Sequence, residues 1–442
     1  MEAILVKTAQ LLLSLSILVI LHEFGHFLFA RLFKTRVEKF YLFFNPWFSL
    51  FKVKKGETEY GIGWLPLGGY VKIAGMIDES MDKEAMKQPP KPYEFRAKPA
   101  WKRLLIMLGG VLMNFIFALL IYIGISWTWG ETYLPTSEVK YGIVAEEAGE
   151  KIGLQTGDKI LSVGGEYIEN FDKIIPTLLL EDLQSIQIER NGKQIDLKIT
   201  DSDIAVLLKS KAVMSPRYLF DIQISRIVKD SPAQKAGLRK GDKIVSVDDR
   251  VFTYYDQFSE YLETRKGQTA RVEILREGNS LTLPVDITPE GKIGFYQTLN
   301  ESAGFKLRTI KYGFLESFPA GIRRGVEITQ NYLKQFKLFF KPETKAYESL
   351  GGFITIGSIF PGYWDWQSFW TMTAFISIIL AIMNLLPIPA LDGGHVLFTL
   401  YEMISGRKPN EKFLEYAQIA GMILLLILVF YANANDIIKL FR

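Results

Sequence analysis

The chain has 442 residues, 48% of them hydrophobic, with 52 basic against 48 acidic side chains and no cysteine. The missing thiols exclude a disulfide scaffold, a cysteine nucleophile, an iron–sulfur cluster and a thiolate zinc site, and the near-balanced charge leaves no electrostatic footprint for nucleic acid. A mean hydropathy of +0.12 beside 23% charged residues requires apolar and polar blocks segregated along a chain too long for one core.

The first apolar run starts at Thr8, is interrupted by His22-Glu23 and resumes from Phe24 to Ala30. Glu2 and the sequence Leu28-Phe29-Ala30-Arg31 do not suit a cleaved signal peptide, so residues 1–33 are expected to span a membrane as a helix. Ionisable groups inside a span are costly, about 2.5–3.5 kcal/mol each on insertion scales, and therefore mark function. His22-Glu23-Phe24-Gly25-His26 is an H-E-x-x-H pattern. On a helix, residues four apart share a face, so both imidazoles reach one metal ion, with Glu23 beside them as general base for water. A catalytic zinc site needs a third protein ligand, here His, Asp or Glu.

Residues 34–100 form the next segment. Within it Tyr60-Gly61-Ile62-Gly63-Trp64-Leu65-Pro66-Leu67-Gly68-Gly69-Tyr70-Val71-Lys72 is apolar, glycine-punctuated and β-prone but too short to span, which predicts a hairpin over about 58–75. The uncharged run Leu104 to Trp127 predicts a second span over 101–127, since crossing takes roughly 20 residues. From Val144 onward, Gly153-Leu154-Gln155-Thr156-Gly157-Asp158 recurs as Gly237-Leu238-Arg239-Lys240-Gly241-Asp242, an offset of 84 residues. Each copy reads as a short helix, a glycine turn and a strand. The second copy, with Ser231-Pro232-Ala233 ahead of Ala236-Gly237-Leu238, resembles the PDZ domains of bacterial envelope proteases; the first is more degenerate. PDZ units are expected at 128–218 and 219–300. In 301–364 an apolar stripe through Phe314, Phe318, Ile322, Val326, Leu333, Phe336 and Phe340, set among Arg323, Arg324, Lys334 and Lys337, predicts amphipathic helix lying on a membrane surface or packed on the repeats.

A third span is expected over 365–396 and a fourth over 412–436, from the runs Ser368 to Leu391 and Ala417 to Asn435. The third ends in Asn384-Leu385-Leu386-Pro387-Ile388-Pro389-Ala390-Leu391-Asp392-Gly393-Gly394-His395. Two prolines break the helix where an acidic residue follows, and freed carbonyls at membrane depth are tolerated only beside protein or a wet cavity. Asp392 is placed like a ligand, with His395 as competitor; alternatively the prolines end the span and Asp392 caps the next helix. Arg31, Lys34, Arg36 and Lys39, then Arg96, Lys98, Lys102 and Arg103, then Arg407, Lys408 and Lys412 assign one side to the cytoplasm. Lys439 and Arg442 are outvoted, and the repeats fall outside.

Together, H-E-x-x-H in the first span, N-x-x-P-x-P-x-L-D-G in the third and PDZ-like repeats between them resemble the site-2 metalloproteases, most nearly their regulator of sigma-E protease type. The likeness covers essentially the whole chain, including Lys98-Pro99-Ala100-Trp101-Lys102-Arg103. It implies a polytopic α-helical protein with four transmembrane helices, a membrane re-entrant β-hairpin and two extracytoplasmic α/β PDZ domains, in the bacterial inner membrane with its active site near the cytoplasmic side. It implies Zn2+ held by His22, His26 and Asp392, Glu23 activating water, His395 outside the ligand set, and substrate engaged by Asn384, Gly61, Gly63, Pro387 and Pro389. Implied partners are single-span substrates such as anti-sigma factors or signal-peptide remnants, first cut outside by a site-1-type protease, and membrane lipid. The chain departs from the family pattern at Phe43-Phe44-Asn45-Pro46, at Val111 and at Phe353. Two rival readings are a membrane-anchored PDZ scaffold with a structural metal and an anchored zincin cutting soluble proteins.

Overall fold

The computed structural model describes residues 2–66, 68–76, 89–181, 183–210, 212–298, 306–339 and 351–441. Leu67 of the expected hairpin, Phe340 of the expected stripe and the rest of the stretches 77–88, 299–305 and 340–350 lie outside the described residues. The chain divides into two compact units, Met1–Gly130 with Lys311–Leu333 and Leu350–Arg442, and Glu131–Ile310 with Lys334–Ser349.

Helix α1 (Glu2–Leu32) runs unbroken through the H-E-x-x-H residues and ends where Lys34 turns left-handed at φ 54°. Four strands follow: β1 (Val37–Leu42), β2 (Phe44–Lys55), β3 (Thr58–Leu65) and β4 (Tyr70–Ile73). Their order is β2-β3-β1-β4, with β1 parallel to β3 and antiparallel to β4. This corrects the hairpin expected over 58–75. Its two arms, β3 and β4, do not pair, because β1 lies between them. The hairpin is instead β2–β3, closed by the two-residue loop Gly56-Glu57 with Gly56 at φ 63°, a left-handed turn that glycine favours. Gly61 and Gly63 are likewise not at an edge. They sit inside β3, where a Cβ on Gly61 would lie 2.3 Å from the Tyr41 ring and one on Gly63 2.1 Å from the Phe44 carbonyl oxygen. Close packing, not turn formation or an open edge, is their physical reason. β2 is one outer edge and shows Trp47, Phe48, Leu50 and Phe51 to the surroundings.

Helix α2 (Ala100–Thr128) crosses α1 at two glycines; a Cβ on Gly25 would lie 2.1 Å from the Gly109 carbonyl oxygen. In the second unit the first repeat comprises β6 (Ile143–Ala145), α3 (Glu147–Lys151), β7 (Lys159–Val163), α4 (Ile174–Leu180), β8 (Ser185–Arg190), β9 (Lys193–Lys198), α5 (Asp201–Lys209) and β10 (Met214–Pro216), preceded by β5 (Glu131–Tyr133). The second comprises β11 (Ile222–Ile227), α6 (Pro232–Lys235), β12 (Lys243–Val247), α7 (Tyr255–Thr264), β13 (Thr269–Arg276), β14 (Asn279–Asp286) and β15 (Phe295–Thr298), followed by β16 (Arg308–Ile310), which pairs with β5. Each repeat has its own core, around Ile174 and Ile186 in the first and Val247 and Phe258 in the second. The repeated Gly-Asp turn is held identically in both. Asp158 accepts from the Gln155 N–H and, through both oxygens, from Arg190; Asp242 does the same with Arg239 N–H and Arg276.

Helix α8 (Phe314–Phe339) is amphipathic as expected, and at Lys334, within the second unit, it pairs with Glu181 of the first repeat. Its part within the first unit packs on α2: a Cβ on Gly321 would lie 2.4 Å from Ile123 N, and the Phe314 and Trp127 rings meet at 5.4 Å. The helices α9 (Phe353–Ser358), α10 (Trp366–Leu385), α11 (Asp392–Ser405) and α12 (Glu411–Leu440) follow. The segment 365–396 is therefore not one helix. Pro387 bars Leu386 from helical geometry, Leu386 takes ψ 142°, and α10 stops at Leu385. Four helices among the described residues are long and apolar enough to cross a membrane: α1, α2, α10 and α12. An ion pair between Arg103 and Glu402 ties the start of α2 to α11.

Candidate metal centre and active site

His22 and His26 share one face of α1 and turn toward α2, where Gly110 leaves room for them. Asp392 arrives at the same point as the first residue of α11, after a non-helical passage in which Ala390 adopts φ 85° and Leu391 is extended. Gly393 permits that approach, since a Cβ there would lie 2.1 Å from the Leu386 carbonyl oxygen. The prolines end α10, but Asp392 does not cap the next helix: Leu391 holds the N-cap position, and Asp392, the first helical residue, faces the histidines.

The three donor atoms converge. Asp392 Oδ2 is 3.1 Å from His22 Nε2 and 3.2 Å from His26 Nε2, and the two Nε2 atoms are 3.3 Å apart. A tetrahedral ion with ligands at 2.0–2.1 Å spaces them by about 3.3 Å. Asp392 Oδ2 is buried without a hydrogen-bond partner, and this is the one His, Asp and Glu cluster among the described residues able to hold a metal ion. The outer nitrogens are turned to protein groups. His26 Nδ1 donates to the Ile106 carbonyl at 2.8 Å, which leaves its Nε2 lone pair for a metal. His22 Nδ1 faces the Asn114 side-chain amide at 3.4 Å, and Asn114 Oδ1 has no partner as placed; exchanging the two ends of that amide gives the oxygen the His22 N–H. The Asn114 backbone is tied to α10 by Ser377, whose hydroxyl donates to the Asn114 main-chain carbonyl at 2.8 Å. A nitrogen and oxygen donor set of this spacing fits Zn2+.

The triad opens on a cavity of about 460 Å³ lined also by Glu23, Gly69, Lys72, His395 and Gln418. His395 lies in the wall but outside the donor cluster. Gly69 and strand β4 after it form one side of this cavity, and among the described residues β4 pairs with no strand but β1, so it stands at an edge of the sheet. The Val71 backbone N–H on that edge faces the Glu23 carboxylate. Asn384, near the end of α10, brings its amide nitrogen within 3.5 Å of His22 Nε2.

The structure thus gathers His22, Glu23, His26, Asn384 and Asp392, and leaves out Gly61 and Gly63. Pro387 acts through the backbone, by ending α10, while Pro389 packs against Gly394 and lines a neighbouring cavity of about 350 Å³. Sequence reasoning placed Gly110 and Asn114 in a second-span motif, Gly109 to Phe115, without giving them a role, and missed the Ile106 carbonyl and the edge position of β4. Gly110 and Asn114 are four apart and share a face of α2, a spacing visible in the sequence.

The model of Peptidase family M50 matches residues 10–428. A regulator of sigma E protease from Haemophilus influenzae is 28% identical over 449 residues, covering 97% of this chain and 98% of that protein. A putative zinc metalloprotease from Campylobacter jejuni is 30% identical over 438 residues, covering 97% and 92%. The regulator of sigma-E protease RseP of Salmonella typhimurium is 27% identical over 471 residues, covering 100% of each chain. Among solved structures, the PDZ domain of an SdrC-like protein from Listeria monocytogenes aligns with 18% of this chain and 87% of its own at 21% identity and a TM-score of 0.17. A family match that begins in α1, runs through both repeats and ends in α12 takes in every segment that bears on the donor triad: the chain belongs to peptidase family M50 and is an intramembrane zinc metalloprotease of the site-2 type.

Proposed function

We propose that the chain hydrolyses a peptide bond within the spanning segment of single-span membrane proteins that another protease has already shortened on the outer side. Anti-sigma-factor-like proteins and remnant signal peptides are the substrate classes, the first supported by relatives named regulators of sigma-E protease. The carrying observation is the site's position. Two histidines placed to hold a metal ion and a carboxylate sit inside an unbroken apolar helix, beside a strand at the edge of the described sheet.

When bound by His22, His26 and Asp392, zinc supplies a Lewis acid that polarises the scissile carbonyl and acidifies water. Glu23 takes the proton from the attacking water as the C–O bond forms and passes it to the leaving amine nitrogen as the C–N bond breaks. A helical substrate hides its amides in its own hydrogen bonds, so it must unwind before cleavage. The N–H and C=O groups along β4 then hold the unwound segment by strand addition, and Asn384 orients the carbonyl next to His22. The basic flanks of α1 and α2 support an inner-membrane orientation with the repeats outside, where a PDZ pair acts as a size filter or a sensor of new C-termini.

The test is cleavage of a fused single-span reporter in membranes, with the cut mapped by mass spectrometry. A cut inside the apolar segment that Glu23→Gln reduces at least 100-fold supports the reading. A cut outside that segment, or one indifferent to Glu23→Gln, refutes it.

A further inference from the structure

From Ala417 to Phe430 helix α12 carries one polar side chain, Gln418. A primary amide on a spanning helix is costly unless another group or a wet cavity satisfies it. Gln418 makes no hydrogen bond among the described residues. Its side chain lines the cavity that holds the donor triad, in company with Phe44, Met107 and Leu391. Gly421 accounts for that position. It lies three residues further on the same face of α12, and a Cβ on it would collide with the Pro389 carbonyl. The contact brings α12 onto the non-helical passage after α10, whose Ala390 and Leu391 share the cavity wall with Gln418.

Strand addition gives such an amide a task. Along a strand, the N–H and C=O of one residue point to one side and those of the next residue to the other. A segment added to β4 therefore bonds to it through alternate residues. The residues between them turn their N–H and C=O away from β4, where every group left without a partner weakens binding. A carboxamide holds both a donor and an acceptor, so it matches the N–H and C=O of one such residue.

We infer that Gln418 is a substrate-binding residue, whose side-chain amide pairs with the main chain of an unwound segment on the side facing away from β4. Because it reads main chain, it serves segments of differing sequence. The inference rests on the proposed cleavage of single-span substrates held along β4.

The experiment uses the purified full chain with zinc in detergent and synthetic single-span peptides. In each peptide one amide N–H within about four residues of the mapped cut is replaced by an ester oxygen, and the scissile bond stays an amide. The readout is the initial rate on the ester peptide over that on the all-amide parent, taken within each enzyme so that losses of folding or metal cancel. Wild type is expected to slow about five- to tenfold at the ester whose N–H meets Gln418. In Q418M that ratio returns to about one, while esters at positions bonded to β4 slow both enzymes alike. Q418M also cuts the parent peptide about tenfold more slowly at unchanged zinc affinity. Where Q418M cuts too slowly for a ratio, Q418A decides in the same way. Ester ratios that match wild type at every position, or a parent peptide cut by Q418M at the wild-type rate, overturn the inference alone. Wild type cutting no parent peptide overturns the proposed function with it.

Discussion

Replacing Gly110 by alanine adds one methyl group at the point where both histidines meet α2. That Cβ would lie 2.5 Å from His22 Cε1, 2.7 Å from His22 Nδ1 and 2.6 Å from His26 Nε2. Carbon needs roughly 3.4 Å from such atoms, so each ring must retreat by about 0.8 Å. Zinc ligands tolerate about 0.2 Å, and each 1.4 kcal/mol is a tenfold change in affinity. We expect zinc affinity to fall at least 100-fold, about 2.7 kcal/mol, with an overpacking cost to the metal-free fold of about 1–3 kcal/mol. Gly124 on the same helix is the matched control, because a Cβ there has nothing within 4 Å. G124A should bind zinc normally and gain a few tenths of a kcal/mol up to about 1 from helix propensity. The assay is zinc partition against a chelator of known affinity, paired with thermal unfolding of the metal-free proteins in detergent. G110A binding zinc within threefold of wild type, and unfolding like G124A, would refute the reasoning.

Arg276→Met strands Asp242, whose side chain is 1% exposed, and should destabilise the second repeat by about 3–5 kcal/mol, read as faster limited proteolysis between 219 and 298; unchanged cleavage there contradicts the pairing. Burial pushes the Asp242 carboxyl up, but the Arg276 guanidinium and the Arg239 N–H outweigh it and hold its pKa below 3.8. The stabilisation is therefore complete above that value and is lost as pH falls through the lower folded-state pKa. Acid loosening of the second repeat, followed by hydrogen exchange, should begin below pH 3.8, and R276M should lack this component. Asp436→Ala removes the acceptor for the Thr355 N–H and hydroxyl and should speed exchange across α9 by about tenfold or more; unaltered exchange means that contact contributes nothing. Val71→Pro deletes the N–H that faces Glu23 while sparing an edge strand, where proline is tolerated. It should keep zinc binding and cut the single-span reporter at least tenfold more slowly, and wild-type cleavage would separate β4 from the substrate.

His22, Glu23 and His26 were legible because their chemistry is contiguous and repeats with the helix. Asp392 lies far along the chain from them, and its residues alone left His395 and a simple cap as alternatives until the likeness to site-2 proteases was drawn. The spans 101–127 and 412–436 lie close to α2 and α12, since length and charge define such helices. The sheet was not legible. Its β1–β3 pairing is parallel and non-local, and the glycines of β3 read as punctuation although their cause is the Tyr41 ring and the Phe44 carbonyl. Gly110 carries no chemistry of its own, so only the histidines lying against it reveal its purpose. The stripe on α8 was visible, but an apolar stripe does not say which surface it meets, and α2 is as apolar as lipid.

The division between helical and non-helical backbone around the donor triad has a physical logic. Two of the three donors come from α1, which stays continuous and so fixes both imidazoles on one face without leaving a backbone group unsatisfied. The third donor, Asp392, opens α11 directly after the non-helical passage from Leu386 to Leu391, and the strand edge comes from β4. Backbone N–H and C=O groups left open in an apolar medium cost several kcal/mol each; the passage limits that cost with short-range bonds from Ile388 N–H to the Leu386 carbonyl and from Leu391 N–H to the Ile388 carbonyl, and its Ala390 and Leu391 join β4 in lining a cavity of about 460 Å³. The same openness is what an unwound substrate requires, because a closed helix has no backbone groups to offer it. Glu23 stands at the boundary, on α1 but facing the Val71 N–H, so the general base meets the strand edge through the very amide that a bound segment would approach. Holding the metal demands rigid helix, and holding the substrate demands exposed strand; the site lies where the two meet.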